Sequence, residues 1–138
     1  VNDEIKRLLE LAAKAIGLEL KPMEVKNVTF KGDDKFIGYM TDPEKWPSGW
    51  FCPHKDDGDS RRLEVALRMD VGQGYEMAFA TATVPTAEVP EGEFAPCIHA
   101  EADEEYSAHG GEALTATRMA VLRCAASIGE QMQEGGAA

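Results

Sequence analysis

Two Cys-x-His pairs, Cys52-Pro53-His54 and Cys97-Ile98-His99, are the first residues of this chain that could do chemistry. Residues two apart in an extended segment project to one side, so the four could converge on zinc in a tetrahedral set. The spacing matches none of the familiar finger patterns, and buried cysteines with a surface histidine are the favoured reading. A Cys–His nucleophile, Cys97 or Cys52 with His109, lacks any local signature. Asp56, Asp57 and Asp59, with Glu101, Asp103, Glu104 and Glu105, offer carboxylates for Mg²⁺ or for acid–base work. Turn and helix-cap carboxylates, plus a solvated loop at Asp103-Glu104-Glu105, explain them more simply. His109-Gly110-Gly111 could hold an anion on backbone amides, but a turn that needs flexible glycines explains it better. No metal, cofactor or catalytic set is expected, and the chain reads as non-enzymatic.

The elements that must position these residues centre on Trp46–Met69. Pro47 and Pro53 fix their own backbone angles, so Ser48 to Phe51 reads as a rigid connector. Trp46, Trp50 and Phe51 are too large to leave in water without a reason. Asp56-Asp57-Gly58-Asp59-Ser60 combines turn chemistry with helix-start chemistry. Leu63, Val65, Leu67 and Met69 alternate like a strand, yet that start favours a helix to about Met69 and a strand from about Asp70.

Before the connector, Asp3–Ile16 reads as an amphipathic helix with Ile5, Leu8, Leu9, Ala12, Ala13 and Ile16 on one stripe, ended by Gly17. Glu24–Lys31 and Lys35–Met40 read as a hairpin around Gly32-Asp33-Asp34, with Val28, Phe30, Phe36, Ile37 and Tyr39 as its apolar residues. After the connector, Tyr75–Val84 reads as a strand with Tyr75, Met77 and Phe79 on one face. Pro85–Pro90 reads as a loop and Phe94–Ala102 as a further strand. A long helix from about Glu112 to Met132 follows, lined by Leu114, Thr117, Val121, Cys124, Ala125, Ile128 and Met132. Residues 133–138 read as a frayed tail. The order α-β-β-α-β-β-α gives an α/β (α+β) sandwich: a mostly antiparallel sheet covered by an N-terminal, a middle and a long C-terminal helix.

The totals narrow the class. The 138 residues form one domain, with 43% apolar content that suits a globular chain. There is no apolar run of membrane-span length and no signal-peptide layout; Val1 suggests a trimmed start or an alternative start codon. Three widely spaced cysteines fit a reducing compartment. The net charge is −11, from 25 acidic and 14 basic residues. That argues against direct nucleic-acid or anionic-membrane binding and permits a basic protein partner, with a homodimer also open.

Two stretches resemble a known group. Phe51-x-Pro53-x-x-Asp56-Asp57-Gly58-Asp59-x-x-Arg62-Leu63 is similar to a Trp-Asn-Pro…Asp-Asp-Gly-Asp-Ala-x-Arg-Leu segment of small tailed-phage and prophage proteins. His109-Gly110-Gly111…Ala116-Thr117-Arg118-x-Ala120-x-x-Arg123-x-Ala125 is similar to the closing helix of the same group, which is related to the phage α-β-α sandwich domain. The matches span about half of the chain. Phe51-Cys52-Pro53-His54 departs from the pattern, and Ala82–Glu105 is longer than expected. The resemblance implies a fold and a phage origin, but no activity and no catalytic residues; a phage origin together with the lack of a membrane span or signal layout gives the expected location, the host cell cytoplasm.

The reading is a phage accessory protein that binds a host protein, in its most concrete form a counter-defence, anti-CRISPR-like protein whose acidic surface mimics nucleic acid. A small metal-dependent hydrolase or zinc-supported module is the alternative. Glu88, Glu91, Glu93, Glu101, Asp103, Glu104 and Glu105, with no Lys or Arg among them, are the expected partner surface. Asp56, Asp57, Gly58, Asp59, Arg62, Arg118 and Arg123 are expected to be structural, the last two pairing with the Asp56–Asp59 turn across the fold.

Overall fold

Leu8, Leu9 and Ala12 recur at helical spacing, and in the computed structural model of the protein they line one buried face of α1 (Asp3–Ala15). The structure describes residues 3–25, 35–86, 90–93 and 96–136. α1 packs along the last helix, α3 (Ala113–Gly136). Leu11, outside the expected stripe, is buried too, because Gly129 of α3 brings the two backbones into contact. A β-carbon at Gly129 would sit 1.9 Å from the Leu11 carbonyl oxygen. Gly17 ends α1 with φ 73°, as its type allows.

β1 (Lys21–Val25) and β2 (Lys35–Met40) form a two-stranded antiparallel sheet of their own. β1 starts earlier than the expected Glu24. The expected turn at Gly32-Asp33-Asp34, with Val28 and Phe30, lies outside the described residues, as do the side chains of Phe36 and Ile37. The connector then runs back along β2, with the Phe51 amide donating to the Tyr39 carbonyl and the Thr41 amide to that of Gly49. Trp46 and Phe51 are buried edge to face, ring centres 5.2 Å apart. Trp50 is not; it remains 39% exposed with its ring over Gly38.

α2 (Asp57–Ala66) starts on Asp56, whose carboxylate accepts from the Asp59 amide at 2.7 Å. The cap settles the ambiguous alternation in favour of helix. α2 ends before the expected Met69 because Arg68 turns left-handed, φ 50°. There the Met69 amide donates to the Glu64 carbonyl and the Arg68 amide to that of Val65, a C-terminal closure that glycine usually makes.

β3 (Asp70–Gln73), β4 (Met77–Pro85) and β5 (Cys97–Glu105) form an antiparallel sheet in that order. Ala78, Ala80, Ala82 and Ala100 lie buried beneath α3, whose own Ala116, Ala120 and Ala125 permit the close approach. Val121, Leu122 and Ile128 complete the contact, each fully buried and worth about 2 kcal/mol. Leu114 and Met132, expected in the same stripe, are 65% and 38% exposed near the ends of α3.

The protein is thus an α+β fold, with three α-helices and two antiparallel sheets among the described residues. β3 begins at Asp70, where the sequence placed a strand; with it, three described strands separate α2 from α3, one more than the order α-β-β-α-β-β-α allows. Tyr75 lies in the β3–β4 turn, in open solvent, and not on a strand face. Asp103-Glu104-Glu105 belongs to β5 and is not a loop. Residues 94 and 95, where that strand was expected to start, lie outside the described residues. α3 continues through residues 133–136, which the sequence placed in a frayed tail. Among the described residues no helix is long and apolar enough to cross a membrane.

Candidate functional site

The Asp56–Asp59 turn is built as an anchor. Asp59 is 1% exposed, and its carboxylate accepts from the Cys52 amide at 2.9 Å, the Ser48 hydroxyl at 3.0 Å and Arg62 at 2.9 Å. A buried carboxylate with three donors holds the connector to the first turn of α2. Arg118 of α3 ties the same region to the last helix, donating to Asp57 at 2.6 Å and to the His54 carbonyl at 3.2 Å. Gly58 sits between the Asp56 carboxylate and the Arg62 guanidinium, where a β-carbon would meet both at 3.2–3.4 Å. Arg123 goes elsewhere than expected. It pairs with Glu104 of β5 at 2.8 Å and with Glu4 of α1 at 2.9 Å, because one further turn and more along α3 carries it past the connector to the sheet.

The two Cys-x-His pairs lie apart. Cys52 and His54 sit where Arg118 meets the connector, whereas the His99 carbonyl accepts from Gln131. Arg118 and Gln131 are about 20 Å apart along α3 at 1.5 Å per residue, so the pairs do not form one tetrahedral site. Among the described residues there is no group of His, Cys, Asp or Glu arranged to hold a metal ion. Cys52 Sγ is 3.9 Å from His54 Nδ1. Burial, then the nearby Asp59 carboxylate, pushes the Cys52 thiol up, while burial pulls His54 down to about 4. Both shifts favour the neutral forms, the reverse of an activated thiolate–imidazolium pair. Cys97 is no partner for His109 either, since Cys97 opens β5 and His109 follows its far end, and the strand itself spans about 26 Å at 3.3 Å per residue. Cys124 is fully buried and its thiol is pushed up to about 11, chiefly by burial.

The glycines before α3 are a turn. The amides of Gly110 and Gly111 both donate to the Tyr106 carbonyl, and the Glu112 amide donates to that of His109. Those donors are therefore taken, and the Glu112 carboxylate, which accepts from Thr115 Oγ1, adds a negative charge at the start of α3. His109 Nε2 lies 3.4 Å from Glu104 Oε1 without a hydrogen bond between them.

What remains is the outer face of the β3-β4-β5 sheet. The nine-residue β5 alternates, so Ile98, Ala100, Ala102 and Glu104 turn towards α3 while Cys97, His99, Glu101, Asp103 and Glu105 turn out. The unbroken register sets Met77 beside Glu105, Phe79 beside Asp103, Thr81 beside Glu101 and Thr83 beside His99. Asp70 and Gly72 of β3 continue the face opposite Thr81 and Phe79. Met77 and Phe79 are 39% and 42% exposed, and none of the three strands holds a Lys or Arg. His99 bridges Thr83 Oγ1 at 2.8 Å and Glu101 Oε1 at 3.0 Å, a polar chain along the face.

This face collects Glu101, Asp103 and Glu105 from the expected partner surface and adds Met77, Phe79 and Asp70, which the sequence reading did not include. It loses Glu104, which turns inward to Arg123. Glu91 and Glu93 are exposed in the β4–β5 loop, beyond the Cys97 end of the row, and Glu88 lies outside the described residues. The missed signal was the period-two pattern itself: small or apolar residues at 98, 100 and 102 between polar ones. No protein-family model, curated protein or solved structure matches this chain, so the tailed-phage resemblance rests on its two motifs.

Proposed function

We propose that this protein is a non-enzymatic phage accessory protein whose open sheet face binds a host protein with a basic surface. The carrying observation is the pairing of an acidic row (Glu101, Asp103, Glu105, with Asp70) with exposed Met77 and Phe79 on a face whose three strands contain no Lys or Arg. Apolar contact supplies affinity there, and carboxylates select a cationic partner and speed its approach. The motif resemblance supplies the phage origin. Counter-defence, with this face occupying a groove that normally receives nucleic acid, is the concrete form of the reading.

The test compares two variants of equal charge. Glu101→Lys/Asp103→Lys/Glu105→Lys and Glu19→Lys/Glu44→Lys/Glu134→Lys each change the net charge from −11 to −5, since each substitution adds two. Wild type and the second variant should retain a host partner in an interaction that weakens with salt, because exposed charges are screened over about 10 Å at 0.1 M. The first should lose it while melting normally. Retention by the first variant at every salt concentration, or equal loss by both, reduces the acidic surface to a solubility feature.

A further inference from the structure

Among the described residues β5 is an edge strand, and its hydrogen-bonding phase can be read from the ends of its ladder. The Thr86 amide donates to the Pro96 carbonyl at one end, and the Tyr106 amide donates to that of Glu76 at the other, both 2.8 Å. The register between them is regular, so the even-numbered residues of β5 bond to β4. The odd-numbered residues therefore direct their amides and carbonyls away from the sheet. One is satisfied: the His99 carbonyl accepts from Gln131 of α3 at 3.0 Å. Among the described residues, the amides and carbonyls of Glu101 and Asp103 have no backbone partner.

We infer that the free edge of β5 receives an extended segment of the partner as a fourth strand, with Lys or Arg at alternate positions. The inference rests on the proposed function and names its mode. A strand laid along this edge places every second side chain on the outer face, beside Glu101, Asp103 and Glu105. The intervening side chains fall on the inner side, next to the half-buried Ile98 and Ala102, and should be small or apolar. Backbone pairing supplies affinity and the alternating charges supply register. A second copy of this chain suits the edge poorly. Antiparallel pairing of β5 with β5 sets Glu101 against Glu101 or against Asp103, between chains that each carry −11.

The probe is a capped seven-residue peptide alternating Lys and Val, compared with the same peptide N-methylated on the amides that would face β5. The alternating peptide should bind, slow hydrogen exchange at the amides of Glu101 and Asp103, and weaken about tenfold or more on N-methylation, as loss of one to two net hydrogen bonds requires. Asp103→Pro, which removes only an outward amide and a charge, should lose more affinity than Asp103→Asn, which removes the charge alone. Equal binding of the two peptides, or unprotected amides at Glu101 and Asp103, removes edge pairing and leaves docking on the face intact. Binding of neither peptide at low salt also removes it, while the lysine-reversal experiment judges the face separately. Protection of the same amides by raising protein concentration alone would assign the edge to a second copy and overturn the basic partner.

Discussion

The ring of Phe79 lies across the bare backbone of Gly72, its cross-strand neighbour, so closely that a β-carbon there would sit 2.3 Å from the ring Cζ. The glycine lets an aromatic lie flat on the outer face of the sheet, covering backbone that would otherwise be wetted. Gly72→Ala should lift the ring into solvent and cost about 1 kcal/mol by lost contact, an amount visible as a lower melting temperature. In a Phe79→Ala background the same change should be neutral or stabilising, since alanine restricts the unfolded chain. A double-mutant cycle by thermal melting checks the pair, and equal costs in both backgrounds would contradict the packing.

Gly129 should be less forgiving. Alanine is normally the better helix former by about 1 kcal/mol, yet its methyl would meet the Leu11 carbonyl, which is backbone and cannot swing aside. Gly129→Ala should therefore destabilise by about 3 kcal/mol, as overpacking of a tight contact does. A denaturant midpoint at or above that of wild type would contradict the contact.

The two aspartates at the start of α2 should separate by size of effect. Asp56→Ala removes a cap and should cost about 1 kcal/mol. Asp59→Ala leaves the Cys52 amide and Arg62 without their acceptor and should cost about 3 kcal/mol. Chemical denaturation of both variants gives the order, and Asp59→Ala proving the milder would move the anchor elsewhere.

His54 should make stability fall in mild acid. Burial lowers it from 6.5 in the unfolded chain to about 4, so between those values the unfolded state binds more protons than the folded one. Stability attributable to His54 is complete above about pH 6.5 and is lost progressively as pH falls towards 4. Carboxylates titrate in part of the same range, so the measurement is the difference between wild type and His54→Gln. The pH profile of the variant should be flatter between 4 and 6.5; parallel profiles would contradict a half-buried neutral imidazole.

Local chemistry was the legible part of this chain. α1 shows its face in Leu8, Leu9 and Ala12, and the Asp56 cap decides for helix where Leu63, Val65, Leu67 and Met69 alternate like a strand. Asp103-Glu104-Glu105 misled because three charges in a row resemble a loop, whereas in β5 the middle one turns inward to Arg123. That partner lies 19 positions further along the chain, out of reach of any local pattern. The same holds for Arg118 and Asp57, 61 positions apart, although there both residue types stood in the quoted motifs. Residue types mark which side chains seek partners; topology decides which partner each one meets.

The contact between α1 and α3 joins the first element to the last, with Arg7 and Glu130 paired across 123 positions of chain. A chain emerging from the ribosome at about 5–20 residues per second therefore carries the apolar stripe of α1 uncovered while every strand is made. Loop closure on this scale must precede the main burial, which places the folding of this small protein among the slower, topology-limited cases for its size. During that interval Leu8, Leu9 and Leu11 are open to chaperones and to neighbouring chains. An N-terminal fragment lacking α3 should accordingly aggregate rather than fold.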